Sequence, residues 1–137
     1  MMSNFKKVPQ RHENAFLSGT AVDPFPRIIL ERGSKELTMR AMDLITPIGM
    51  GQRGLIVSPP GSVKTTILKN ICQAVSAGYP EMKLYCLLID ERPEEITDFK
   101  RNVTVPVWAS SSDESYDHHI QIADDLMRRA MNDAGGG

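Results

Sequence analysis

The feature that most constrains the fold is a strand–loop–helix pattern between Gly49 and Asn70. A short apolar run at 55–57 leads into a turn rich in proline, glycine and serine, and Lys64-Thr65-Thr66 then begins a helical pattern. In such an arrangement the N–H groups at the helix start and a lysine side chain are placed to bind phosphate groups. The pattern predicts a nucleotide phosphate site, and an ordinary turn followed by a solvated lysine is the alternative.

The loop departs from the motif G-x-x-x-x-G-K-[ST], because Ser58 and Val63 occupy the two glycine positions. Glycine before the lysine lets the backbone wrap around a phosphate, since it lacks a Cβ atom. We expect Val63 to adopt a positive φ, at which a β-branched residue is strained by about 1–3 kcal/mol. That strain corresponds to roughly a 5- to 150-fold loss of affinity. The sequence therefore predicts weak nucleotide binding.

The remaining chain alternates predicted strands and helices. Strands are expected at 28–30, 55–58, 83–89 and 105–110, and helices at 37–45, 64–77, 93–102 and 116–132. The run KLYCLLI at 83–89 is typical of a parallel strand covered on both faces. The last helix is expected to direct inward Ile120, Ala123, Met127 and Ala130. This alternation predicts an α/β fold, with a parallel sheet flanked by helices.

A charged segment, Asp90-Glu91-Arg92, directly follows the predicted strand at 83–89. Ligands of open α/β sheets bind at the carboxyl ends of strands, so these side chains are expected to face the phosphate loop. A carboxylate there can orient or deprotonate an attacking water, and an arginine can meet phosphate charge. For Glu94 and Glu95 we favour a structural role at a positive helix end.

Composition excludes few classes of function. The 137 residues include 16 Lys and Arg against 17 Asp and Glu, so no overall basic field indicates nucleic-acid binding. Cys72 and Cys86 form no CxxC pair and are expected to be buried, reduced thiols. His118 and His119 lack the spacing of metal ligands. No run reaches a membrane-spanning length and no signal peptide is evident, so the cytoplasm is the default location and no membrane partner is expected.

Several segments together closely resemble the bacterial transcription termination factor Rho family. They are ELTMRAMDLITPIGMGQRGLIVSPP, KTTILKN, LLIDERPEEITDFKR, and the stretch around Val107-Trp108-Ala109-Ser110 followed by Asp113-Glu114. The resemblance runs from about Phe25 to Met131. It implies a partial RecA-like P-loop ATPase core, with 1–22 a flexible leader and 23–137 a truncated nucleotide-binding domain.

The resemblance also implies the residues of a site for ATP and Mg²⁺. Lys64 and Glu91 would be catalytic, with Glu91 activating the attacking water, and Thr65 would meet the metal through the nucleotide. The implied nucleotide contacts are Gly49, Met50, Gly51, Gln52, Arg53, Gly54, Gly61, Ser62, Val63, Lys64, Thr65, Thr66 and Arg92. The implied partners are ATP, RNA and RNA polymerase, within a homo-hexameric ring that translocates on RNA.

Two departures from the family pattern bear on activity. Family members usually have APPKAGKT where this chain has SPPGSVKT, so Gly61 replaces a second lysine and Val63 the critical glycine. The family's magnesium-associated aspartate, arginine finger, RNA-gripping loops and N-terminal oligonucleotide-binding domain are expected to lie outside the chain. We therefore expect measurable ATP binding at best, with negligible turnover. The alternatives are a non-catalytic module that docks on Rho subunits and a fragment that has lost function.

Overall fold

The computed structural model describes residues 18–20, 23–59 and 63–135, and these residues form a mixed α/β fold. Most of the predicted leader at 1–22 therefore lies outside the described residues. The elements in chain order are β1 (Arg27–Ile28), a 3-10 turn (Leu30–Arg32), α1 (Leu37–Ile45), β2 (Ile48–Gly49), α2 (Lys64–Gly78), β3 (Cys86–Glu91), α3 (Pro93–Asn102), β4 (Val107–Ser111) and α4 (Tyr116–Gly135).

The four predicted helices are confirmed, with small differences at their ends. Helix α3 shows why the sequence specifies them: Pro93 occupies the first turn together with two glutamates, and Lys100 and Arg101 lie in the last turn. Proline is pre-organised for a helix start, and the charges oppose the helix dipole. Helix α2 ends one residue later than predicted, at Gly78, and α4 extends to Gly135.

The described strands form two small sheets. Strands β3 and β4 are parallel, with Cys86 opposite Val107 and Leu88 opposite Ala109, and α3 connects them. Strands β1 and β2 form a short antiparallel pair. The carboxyl end of β3 therefore lies at the edge of a parallel sheet, as the sequence predicts for a ligand site.

The predicted strand at 55–58 is wrong. Residues 52–59 form neither helix nor strand, and Leu55 and Val57 are 87% and 82% exposed. A strand is defined by hydrogen bonds to a neighbouring strand, and within the described residues β3 and β4 pair only with each other. An apolar run alone does not supply that partner.

Three further expectations need correction. Strand β3 begins at Cys86 rather than Lys83, and it is not covered on both faces, since Leu87 is 39% exposed. The predicted strand at 28–30 is shifted, because Leu30 begins a 3-10 turn. In α4 the buried residue is Leu126, whereas Met127 is largely exposed.

Two apolar clusters form the core, and α2 contributes to both. The first joins β3 to α3 through Cys86, Leu88, Ile96, Phe99 and Val103, with Leu68 and Cys72 of α2 packed against it. The second joins the 3-10 turn and α1 to α2 through Leu30, Met39, Ala74 and Val75. This double packing fixes the start of α2 relative to the end of β3.

A close backbone approach also holds α2 in place. A Cβ atom on Gly33 would collide with the carbonyl oxygen of Ala74 and lie 2.6 Å from the amide nitrogen of Gly78. Nearby, the buried carboxylate of Asp43 accepts hydrogen bonds from the amides of Leu30 (3.1 Å) and Glu31 (2.9 Å). The chain before α2 is thus tied to the helix that carries the candidate site.

Candidate functional site

A cavity of about 890 Å³ lies between the start of α2 and the carboxyl end of β3. Its lining combines the end of the 55–58 run with the residue after it, the first turns of α2, the end of β3 and the first turns of α3. The lining residues are Ser58, Pro59, Lys64, Thr65, Thr66, Lys69, Asp90, Glu91, Arg92, Glu94, Glu95 and Asp98. A site of this size can accommodate a nucleotide-sized ligand.

Lys64 and Glu91 meet across this cavity. The Nζ atom of Lys64 lies 3.4 Å from Oε1 of Glu91, although the residues are 27 positions apart. Lys64 is the first residue of α2, and Glu91 is the last residue of β3. The structure therefore brings together the two side chains that the sequence analysis assigned to catalysis.

Among the residues that the structure describes, no side chain caps the start of α2. Val63 occupies the N-cap position without a side-chain cap hydrogen bond, and no acidic residue lies in the first turn. Helix N-termini with uncapped N–H groups attract anions. The expected positive φ at Val63 is wrong, because its φ is −68°, so the strain expected from a left-handed backbone does not arise there.

Ser58 supplies an observation that fits a bound ligand. Its Oγ atom is buried and has no hydrogen-bond partner among the residues that the structure describes. A buried hydroxyl without a partner costs free energy, and a ligand oxygen at this position would satisfy it. Because Ser58 lines the cavity beside Lys64, the donors present fit a phosphate group.

The charge of the cavity is mixed. Three cations, Lys64, Lys69 and Arg92, face five carboxylates, namely Asp90, Glu91, Glu94, Glu95 and Asp98. Lys69 is already paired with Asp98 of α3 at 2.5 Å. The excess of carboxylates favours an anion that arrives with a divalent cation over a bare triphosphate. The sequence analysis missed Lys69 and Asp98, because their pairing depends on how α2 packs against α3.

Other predicted contacts do not line the cavity. A separate segment begins at the last residue of β2 and holds six of them: Gly49, Met50, Gly51, Gln52, Arg53 and Gly54. There Gln52 accepts a hydrogen bond from the amide of Gly49 at 2.8 Å, and Gly51 has a φ of 84°. Gly61 and Ser62 lie outside the described residues. Thr65, Thr66 and Arg92 do line the cavity, in agreement with their predicted placement.

The two cysteines are neighbours in space. Both are free thiols, and Sγ of Cys72 lies 3.2 Å from Sγ of Cys86. A hydrogen bond from Cys72 lowers the pKa of Cys86, and the same bond together with burial raises the pKa of Cys72. Cys86 is buried as expected, whereas Cys72 is half-buried. Their 14-residue separation gave no sign of the contact.

His118 and His119 lie in the first turn of α4 and contact residues of β4 and of the loop that follows it. Ser110 and Nδ1 of His119 are hydrogen-bonded, and Nε2 of His118 lies 3.4 Å from Glu114. Among the described residues, no group of three or more His, Cys, Asp or Glu side chains is arranged to hold a metal ion. A search of the described helices found none with the length and apolar character needed to cross a bilayer.

The fold and the cavity define an α/β protein in which a helix start and an acidic strand end border one cavity. No protein-family model matches the chain. Transcription termination factor Rho of Akkermansia muciniphila is 49% identical over 112 residues, which cover 81% of this chain and 24% of that protein. The Neisseria gonorrhoeae Rho is 46% identical over 123 residues, covering 88% and 29% of the two chains.

Rho of Escherichia coli K12 is 43% identical over 132 residues, which are 93% of this chain and 31% of the relative. The chain belongs to the Rho family, as a relative of one segment of these proteins. It spans between about a quarter and a third of the length of the curated relatives it matches.

Proposed function

We propose that the cavity between α2 and β3 binds ATP together with Mg²⁺, as a degenerate P-loop of a partial RecA-like core. The observation that carries the proposal is that Lys64 lies 3.4 Å from Glu91, beside a helix start that no described side chain caps. Membership in the Rho family supports it.

Each residue has a distinct part in this proposal. The amides of the first turn of α2 and the ammonium of Lys64 bind phosphate oxygens, and the hydroxyl of Thr65 meets the metal that the nucleotide brings. Binding replaces the Lys64–Glu91 ion pair, which frees the carboxylate of Glu91 to orient a water. Arg92, at the start of α3, contributes a second cation to the phosphates. The bound Mg²⁺ supplies charge neutralisation of the phosphates.

The wider Rho activity is a further step of the same proposal. In it the chain acts within a transcription termination machine, with RNA and RNA polymerase as partners and a homo-hexamer as the assembly. By itself the chain is proposed to bind ATP weakly in the cytoplasm and to release negligible phosphate. The basis is the family relationship, together with a cavity whose lining contains a lysine and a carboxylate in the roles described.

Isothermal titration calorimetry with ATP and Mg²⁺ tests the nucleotide proposal. Wild-type protein is expected to bind with at best millimolar to high-micromolar affinity, and Lys64→Ala is expected to weaken binding at least about tenfold, since a charge-assisted contact is lost. Lys100→Ala is the matched control, because Lys100 lies on the exposed last turn of α3 away from the cavity. Absence of binding at millimolar ATP, or equal binding by Lys64→Ala, would contradict the proposal.

A second candidate function is docking on full-length Rho subunits. Its supporting observation is the exposure of apolar side chains along the 55–57 segment and β3, namely Leu55, Val57, Leu87 and Ile89. In this second proposal these side chains contribute to an apolar contact surface for the partner. Co-purification with full-length Rho is expected to recover a complex that Val57→Ser together with Ile89→Thr weakens. Recovery of no complex by the wild-type chain rules this function out.

A further inference from the structure

The end of β3 breaks its regular pairing with β4. Ile89 lies opposite Ser110 and Glu91 opposite Ser111, so Asp90 has no partner residue on β4. Its φ of 57° is left-handed, and among the described residues no other non-glycine residue has a positive φ. An extra residue of this kind is a β-bulge, which bends the strand and re-aims the side chains beyond it.

The two faces of β3 differ in what packs on them. Leu88 belongs to the apolar cluster against which Cys72 of α2 packs. The next residue, Ile89, pairs with Ser110, which is hydrogen-bonded to His119 of α4. Because successive side chains of a strand point to opposite faces, even-numbered residues of β3 face α2 and odd-numbered ones face α4.

Glu91 does not follow this alternation. A regular strand would direct it toward α4, away from Lys64, yet its carboxylate lies 3.4 Å from Nζ of Lys64. The backbone amide of Ser112 donates to the carbonyl of Glu91 at 3.0 Å, so pairing resumes after the extra residue. The bulge has therefore shifted Glu91 by one position, onto the α2 face.

We propose that Asp90 is a positioning residue, whose left-handed backbone turns Glu91 toward Lys64 at the cavity. The orientation of the Glu91 side chain does not depend on any ligand. The effect of that orientation on ATP binding rests on the proposed function. Asp90 suits this place because aspartate, asparagine and glycine adopt positive φ more readily than other residues. Valine disfavours it strongly, since its β-branch clashes with the backbone.

Asp90→Asn and Asp90→Val form a matched pair of variants. Both remove the charge of Asp90, and only valine opposes the left-handed backbone. The first readout is the yield of a zero-length carbodiimide cross-link between Nζ of Lys64 and the carboxylate of Glu91, measured without nucleotide by peptide mass spectrometry. Asp90→Asn is expected to stay within about twofold of wild type, and Asp90→Val to fall at least roughly fivefold.

The second readout is affinity for ATP and Mg²⁺ by calorimetry. Because phosphate must displace Glu91 from Lys64, Asp90→Val is expected to bind ATP about two- to fivefold more tightly than wild type, and Asp90→Asn to stay within about twofold. In a Glu91→Gln background, Asp90→Val should cause no additional change, because the two residues act in series. A purely structural role of Asp90 would keep its effect in that background. Asp90→Ala, checked for folding by circular dichroism, replaces Asp90→Val if the latter does not fold.

The outcomes separate this proposal from the function on which it builds. Equal cross-link yields in wild type and Asp90→Val, or in wild type and Asp90→Ala, overturn the positioning role. A cross-link yield that falls as far in Asp90→Asn as in Asp90→Val also overturns it, because the effect would then come from the lost charge. The expected cross-link pattern in a wild-type chain that binds no ATP supports the positioning role and overturns the nucleotide proposal.

Discussion

Lys64 and Glu91 show how single residues acquire a chemical role from their backbone. Lys64 is placed by the start of α2, and Glu91 is placed by the bulge at Asp90. Val63 occupies the N-cap of α2 with a φ of −68°. The substitution that most weakens the P-loop motif is therefore compatible with a negative φ at this position.

Replacement of Val63 by glycine tests this conclusion. Because the φ of Val63 is negative and does not require glycine, Val63→Gly is expected to change ATP affinity by less than about threefold, and a glycine N-cap should alter stability by only a few tenths of a kcal/mol. Calorimetry with ATP and a urea denaturation curve measure the two effects. A gain of tenfold or more in affinity would show that the valine does obstruct the loop.

At the scale of elements, α2 is fixed by its contact with the turn before α1. Gly33 lies so close to Ala74 and Gly78 that a Cβ atom cannot be accommodated. Gly33→Ala is therefore expected to lower the free energy of unfolding by about 1–3 kcal/mol through overpacking. Gly135→Ala is the control, since a Cβ there meets no atom within 4 Å. Chemical denaturation that finds the two variants equally stable would contradict the contact.

The junction between β4 and α4 carries a pH dependence. The backbone amide of Ser111 donates to Glu114 at 2.8 Å, and this bond lowers the pKa of Glu114 from its ordinary value of 4.5. A carboxyl group whose pKa is lower in the folded state than in the unfolded state stabilises the fold at pH values above its unfolded-state pKa. That contribution is lost as the pH falls through the folded-state pKa. Wild type should therefore exceed Glu114→Gln in urea midpoint near neutral pH and lose that advantage below pH 4.5. An advantage that is constant with pH would contradict this.

At the scale of the whole molecule, short sequence patterns predicted the helices. Strand pairing and the contacts between helices depend on residues far apart in the sequence, and these were not predicted. Apolar periodicity predicted α2, Pro93 followed by two glutamates predicted the start of α3, and an apolar run followed by charged residues located the end of β3. The run at 55–58 has the composition of a strand, yet strand formation depends on a partner elsewhere in the chain. The pairing of Lys69 with Asp98, and the bulge at Asp90, likewise arise from packing between elements.

The most direct test of the central claim is a heteronuclear NMR titration of the full chain with ATP and Mg²⁺. The account predicts that the largest chemical-shift changes fall on Lys64, Thr65 and Thr66 at the start of α2 and on Glu91 and Arg92 at the end of β3. Changes confined to surfaces away from this cavity, or none at millimolar nucleotide, would contradict it.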